Sequence, residues 1–146
     1  MEVKIKRLHP DARAPEYATD GAACFDLRSV DHIETTVGGQ PRTFRTGLSF
    51  EVPEGHAMLI FSRSGHGFKN DTRLANCVGI IDSDYRGEVA VRLTRDDARN
   101  EALFVKAGDR IAQAMVVPVD RVEFIEAEDL TATERGAGGF GSTGAA

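Results

Sequence analysis

Val89, Val91 and Leu93 alternate with Ala90, Arg92 and Thr94, a period of two that predicts a strand with one buried face. Phe44, Leu48, Phe50 and Val52 carry a similar alternation on either side of Thr46-Gly47. Further short apolar runs occupy 24–29, 32–37, 58–62, 74–81, 102–106, 111–119 and 122–126. Turn signals separate them: Gly38-Gly39, Pro53-Glu54-Gly55, Asp71-Thr72, Arg86-Gly87, Ala107-Gly108-Asp109 and Pro118. Strands recurring every ~8–12 residues predict an all-β sandwich or barrel. Only 96–101 and 126–131 could form a helical turn, and neither carries a sustained 3.6-residue stripe. No internal repeat is visible.

The 146-residue length supports one core. From Thr131 the pattern changes: five of the last sixteen residues are glycine and one, Phe140, is a bulky apolar. That composition predicts a domain over 1–130 and a mobile tail over 131–146. The net charge of −5 argues against a protein whose main task is gripping a nucleic-acid backbone. An anionic ligand must then be held by a local set of donors. No apolar run approaches the ~20 residues of a membrane helix, and the first residues lack a signal-peptide core, so a cytoplasmic protein is expected. Cys24 and Cys77 are 53 positions apart and are read as buried, reduced side chains; no structural metal is expected from them or from the four histidines.

Folding alone does not require the composition of four stretches. Asp26 and Arg28 flank Leu27 on a strand face. Ser62-Arg63-Ser64-Gly65-His66-Gly67 follows an apolar run; an arginine, two hydroxyls and two glycines there can cradle an anion or simply form a polar turn. Asp82 and Asp84 lie two apart beside Tyr85, placed to share a strand face or project from a hairpin tip. Such carboxylates can activate water, help hold a divalent cation, or do no more than make a turn. Gln113 sits in Gly108-Asp109-Arg110-Ile111-Ala112-Gln113, where a surface position is the plainer reading. The tail run Gly138-Gly139-Phe140-Gly141-Ser142-Thr143-Gly144 is no P-loop, since no lysine precedes the hydroxyls and no helix can follow.

Taken in order, these stretches and the tail resemble the five motifs of the trimeric deoxyuridine triphosphatases (dUTPases), from Val3 to Gly144. The run from Leu74-Ala75-Asn76 through Asp82-Ser83-Asp84-Tyr85-Arg86-Gly87-Glu88 and the tail from Arg135 to Gly144 match most specifically. Cys24 and Ser62 depart from the pattern, which has a glycine and a proline there. The resemblance implies a jelly-roll-like β-barrel subunit with a flexible Gly-rich tail, in a homotrimer whose sites take residues from three subunits. It implies hydrolysis of dUTP to dUMP and pyrophosphate with Mg²⁺, which limits uracil incorporation into DNA and supplies dUMP for dTMP synthesis. Asp82 resembles the base that activates water at the α-phosphorus. Tyr85 would pack on deoxyribose, and Asn76 with Gly79 would read uracil. Arg63, Ser64, Gly65 and Gln113 would hold the inner phosphates. Arg135, Gly139, Ser142 and Thr143 would close on the γ-phosphate, with Phe140 stacked on the base. Asp26 would help place Mg²⁺ through water. No nucleic acid or membrane partner is implied. The alternatives are a dCTP deaminase-like enzyme and a regulatory protein that binds dUTP on the same fold.

Overall fold

The computed structural model describes residues 1–34, 40–96 and 104–139. In chain order its elements are β1 (Lys4–Arg7), β2 (Glu16–Tyr17), β3 (Phe25–Arg28), β4 (Ile33–Glu34), β5 (Arg42–Arg45), β6 (Leu48–Glu51), β7 (His56–Phe61), α1 (Ser64–Asn70), β8 (Thr72–Leu74), β9 (Gly79–Ile81), β10 (Ala90–Arg95), β11 (Phe104–Val105) and β12 (Arg110–Pro118). The described chain is therefore mostly β with one short helix. Its largest sheet has the order β2-β3-β12-β7-β9; a second has the order β5-β10-β8; β1 pairs with β6 and β11 with β4. Every pairing is antiparallel.

The alternation in β10 is realised as expected: Val89, Val91 and Leu93 are buried, and Ala90 and Arg92 face out. They join Phe44, Leu48, Phe50, Met58, Ile60, Leu74, Ile111 and Ala114 in a single core cluster. Four hydroxyl residues are buried too, Ser29, Thr46, Ser49 and Thr72, and two of them brace the strands beside this core. Thr46 Oγ1 donates to the Val89 carbonyl at 2.6 Å, and Ser49 Oγ donates to the Arg86 carbonyl at 2.7 Å. Each is paired, so neither hydroxyl is orphaned by its burial.

Gly47 separates β5 from β6 at a φ of +67°. A Cβ there would stand 2.8 Å from His9 Cβ and 2.9 Å from Ala12 Cβ. Gly47→Ala meets an unfavourable backbone region and a steric collision together. It should lower unfolding stability by about 2–4 kcal/mol, read as a fall in the urea midpoint at unchanged slope.

Several expectations need correction. The segment after Arg63, read as an anion cradle or a polar turn with no helix, is the helix α1. The 126–131 segment is not helical, and 122–126 is not a strand; 119–130 runs without regular structure. Most of the 96–101 segment lies outside the described residues. The 74–81 run is two strands broken by a turn, because the chain there leaves the β10 sheet for the β7 sheet. Cys24 is only half-buried, and Cys77 is exposed at a φ of +64°, so neither is a core residue. Both are free thiols.

Candidate active site

The antiparallel registers gather three of the singled-out stretches at one end of the large sheet and bring Gly79, which precedes the Asp82 stretch, next to them. Asp26 on β3 faces Gln113 on β12, which faces Phe61, the last residue of β7. Gly79, the first residue of β9, faces Ile60 on the other side of β7. Ser62 and Arg63 leave β7 at that end and lead into α1.

Asp26 is largely buried, with its side chain 12% exposed, between two guanidinium groups. Arg63 Nε lies 3.4 Å from one carboxylate oxygen, and Arg110 Nη1 donates to the other at 3.0 Å. The register shifts between Arg110 and Ala112, a bulge that interrupts the ladder. The Arg110 carbonyl there accepts from Arg63 Nη1 at 2.9 Å and bonds His66 Nε2 at 2.8 Å. A carbonyl only accepts, so His66 carries its proton on Nε2. Burial first, and then the neighbouring Arg110 charge, lower the pKa of Arg63 from its ordinary value. This cation is thus held near Arg110 and Arg28, with Asp26 and Asp109 to offset them, and the excess of positive charge favours an arriving anion. Next to it, burial and then the Asp26 charge raise the pKa of the Cys24 thiol, so it is not an activated nucleophile.

α1 contains two glycines and has no side-chain cap at Arg63. Its local propensity is poor. Tertiary bonds compensate: His66 ties it to β12, and its C-cap Asp71, at a φ of 47°, donates its N–H to the Gly67 carbonyl at 3.1 Å. Ser64 is exposed and Gly65 half-buried on its first turn.

A pocket of about 210 Å³ lies between the two sheets, lined by Ile60, Leu74, Asn76, Gly79 and residues 90–92. Gly79 packs so closely that a Cβ would stand 3.2 Å from Ile60 Cβ. Asn76 Nδ2 donates to the Val78 carbonyl at 3.4 Å, and Val78 N–H donates to the Asn76 carbonyl at 2.7 Å. That second bond spans three residues around Cys77, a tight γ-turn that explains its positive φ.

Asp82 and Asp84 do not share a strand. β9 ends at Ile81, and a turn follows in which Tyr85 N–H donates to the Asp82 carbonyl at 3.2 Å. Both carboxylates are exposed. Tyr85 is 43% exposed and curls over Gly87, where any Cβ would strike the phenol ring; its hydroxyl donates to the Glu88 carbonyl at 3.1 Å.

Within this chain Asp82 is not brought to Arg63. β9 runs from Gly79, opposite Ile60, to Ile81, opposite Met58, away from the end of β7 that carries Arg63. The backbones of the two residues are separated by about five to six strand positions, roughly 16–20 Å. Asp82 instead borders a broad cleft of about 1160 Å³ with Lys4, Glu54, His56 and Arg121. Arg135 Nε donates to the Gly138 carbonyl at 2.7 Å, and Arg135 is exposed while Gly139 is half-buried. Phe140, Ser142 and Thr143 lie outside the described residues.

The family model for dUTPase matches residues 11–144. The chain belongs to the dUTPase family. It is 47% identical over 144 residues to the deoxyuridine 5'-triphosphate nucleotidohydrolase of Nautilia profundicola, covering 99% of each chain. It is 41% identical over the same length, with the same coverage, to the protein of that name from a Hydrogenobaculum species. Its fold matches a mutant dUTPase of Staphylococcus bacteriophage 80alpha solved with dUpNHpp, at a TM-score of 0.86, 27% identity and 98% coverage of both chains. The reaction is that of a dUTP diphosphatase. Within this dUTPase fold, sequence reasoning missed Arg110 and the His66 ring, and it read the Ser62 hydroxyl as part of an anion cradle or polar turn, whereas that hydroxyl accepts from the Leu74 N–H. Arg110 and Ser62 stood inside recognised motifs, but their partners lie across the sheet, and no local pattern announces them.

Among the described residues, no group of three or more histidine, cysteine, aspartate or glutamate side chains could hold a metal ion. Both Asp26 oxygens already face guanidinium groups. That donor set does not fit a protein-built cage for a metal ion and leaves a cation to be carried mainly by substrate phosphates. No helix among the described residues is long and apolar enough to cross a membrane.

Proposed function

We propose that this dUTPase cleaves dUTP at a site assembled from three copies of the chain, with Asp82 as the base. The observation that carries this reading is the separation of Asp82 from the Arg63 cluster along β7 and β9. The α-phosphorus and the inner phosphate oxygens of one nucleotide lie within a few ångströms of each other, so one chain cannot easily supply both groups to the same triphosphate. The exposed segment after Pro118 supports the same view. Val122, Phe124, Ile125 and Leu130 are 67%, 92%, 83% and 90% exposed, a run of apolar side chains that gains from covering by another copy. In this reading each copy is a closed jelly-roll-like barrel over 1–130, three copies form the homotrimer, and the enzyme works in the cytoplasm.

In the assembled site, Arg63, Ser64, Gly65 and Gln113 bind the inner phosphates. Asp26 keeps Arg63 oriented before substrate arrives, which lowers the reorganisation needed in the transition state. Asn76 and the close-packed turn to Gly79 receive uracil, where leaving a polar edge unpaired can discriminate by ~10⁴ or more. The ring of Tyr85, held over Gly87 by its hydroxyl bond, packs on deoxyribose and leaves no room for a ribose hydroxyl. Asp82 takes the proton of the attacking water, and pyrophosphate leaves from the α-phosphorus. The tail, with Arg135, Gly139, Phe140, Ser142 and Thr143, closes over the nucleotide and excludes bulk water. Bound with the triphosphate, Mg²⁺ would neutralise charge on the phosphates, with Asp26 as its outer contact.

Incubation with each dNTP and Mg²⁺, with pyrophosphate and ammonia measured, tests the reaction. Pyrophosphate from dUTP alone is expected. Ammonia from dCTP would point to the deaminase alternative, and dUTP binding without products to a regulatory protein.

A further inference from the structure

Glu88 reaches from the loop after β9 back to the corner between β5 and β6. Its half-buried side chain accepts from the Gly47 N–H at 2.8 Å through Oε1. The peptide group that follows Glu88 is held at both ends. The Val89 N–H donates to the Leu48 carbonyl at 2.8 Å, and the Glu88 carbonyl accepts from the Tyr85 hydroxyl at 3.1 Å. A trans peptide points its N–H and C=O in opposite directions, so the bond to β6 aims the carbonyl at the phenol. Just upstream, the Arg86 carbonyl accepts from the buried Ser49 Oγ at 2.7 Å. Tyr85 itself is 43% exposed, so packing within the chain holds its ring only in part. Where the ring stands therefore depends on how the 86–88 backbone is pinned to the barrel.

We propose that Glu88 is a positioning residue for sugar selection: its carboxylate on the Gly47 N–H fixes the carbonyl that holds Tyr85, and so sets how closely the ring approaches deoxyribose. Glu88, Gly47 and Tyr85 all belong to one chain, so the brace acts within the part of the shared site that carries Tyr85. A charged acceptor makes such a bond roughly twice as strong as a neutral one, and its removal strands a part-buried backbone donor. The inference rests on reading Tyr85 as the residue that packs on the sugar.

Glu88→Ala should reduce the preference for dUTP over UTP, the ratio of their kcat/KM values for pyrophosphate release, about tenfold. Glu88→Gln keeps an oxygen that can accept from Gly47 and should recover most of that preference. Tyr85→Ala is the control and should abolish it. If Tyr85→Ala leaves the preference intact, the sugar reading of Tyr85 fails and the inference with it. If Tyr85→Ala abolishes the preference while Glu88→Ala keeps it, the sugar reading stands and the role of Glu88 falls. A lowered Tm with unchanged preference in Glu88→Ala overturns the proposal, as does equal impairment of the Ala and Gln variants. Two further readings do not need Glu88→Ala to fold. Tyr85→Phe keeps the ring, loses its bond to the Glu88 carbonyl and should lower the preference several-fold; full preference there overturns the link. In the unaltered protein the Gly47 amide should exchange slowly, and rapid exchange overturns the brace.

Discussion

An Asp82→Asn variant is expected to turn over dUTP ~10²–10⁴ times more slowly than its parent while still binding the nucleotide. The substitution keeps the shape of the side chain and replaces a proton acceptor by an amide that cannot take a proton from water. Little else should change. Asp82 is exposed, and the turn that places it uses its backbone carbonyl, which accepts from Tyr85 N–H. The fold should therefore keep its melting temperature, and a non-hydrolysable dUTP analogue should bind with an affinity within a few-fold of the parent. Steady-state pyrophosphate release and titration calorimetry check the two halves separately. If turnover is kept, water is activated elsewhere; if binding is lost with it, Asp82 holds substrate and is not the base.

Removal of Arg135 to Ala146 is expected to abolish most turnover and to leave stability nearly intact, since among the described residues the 131–137 stretch is exposed and the tail adds nothing to the core. Mixing this truncated chain with the Asp82→Asn chain tests how sites are shared. Each is nearly inactive alone. After joint unfolding and refolding at equal amounts, roughly three-quarters of trimers contain both types. In every mixed ring one site takes Asp82 from a truncated chain and its tail from an Asp82→Asn chain. Activity should rise to about a quarter of the parent level, because one site in three is whole in those trimers. A site that draws Asp82 and the tail from one chain could never be whole here, since every chain carries one defect. Activity that stays at the level of the separate variants, with mixed trimers verified by mass, rules out sharing between chains. A Phe140→Trp reporter adds an optical reading of closure, because the chain has no other tryptophan.

The strands were legible where one face meets the core: Val89, Val91 and Leu93 alternate in sequence and in burial. α1 was not, because it is held by His66 on the Arg110 carbonyl and not by its own glycine-containing run. The motifs marked the residue types of the site, with Gly79 against Ile60 and Gln113 beside Asp26. Gln113, read from its alternation as surface, is half-buried and bonded to Ser62. The cysteines misled because small apolar residues in apolar runs usually face inward, whereas Cys77 sits at a turn tip whose backbone places it outside. The pairing of Asp26 with two arginines from motifs 37 and 84 positions away needed the sheet order, which one sequence does not contain.

The apolar arm after Pro118 bears on how the enzyme responds to its own abundance. Phe124 and Ile125 are almost wholly exposed in the single chain. If covering them requires further copies, the fraction of competent enzyme follows the law of mass action and not chain number alone. Near the assembly midpoint, halving expression removes more than half of the activity. Dilution in an assay then lowers specific activity over time, and subunits released at low concentration expose a surface suited to self-association. Dosage would act as a steep control on the dUTP pool without any effector site.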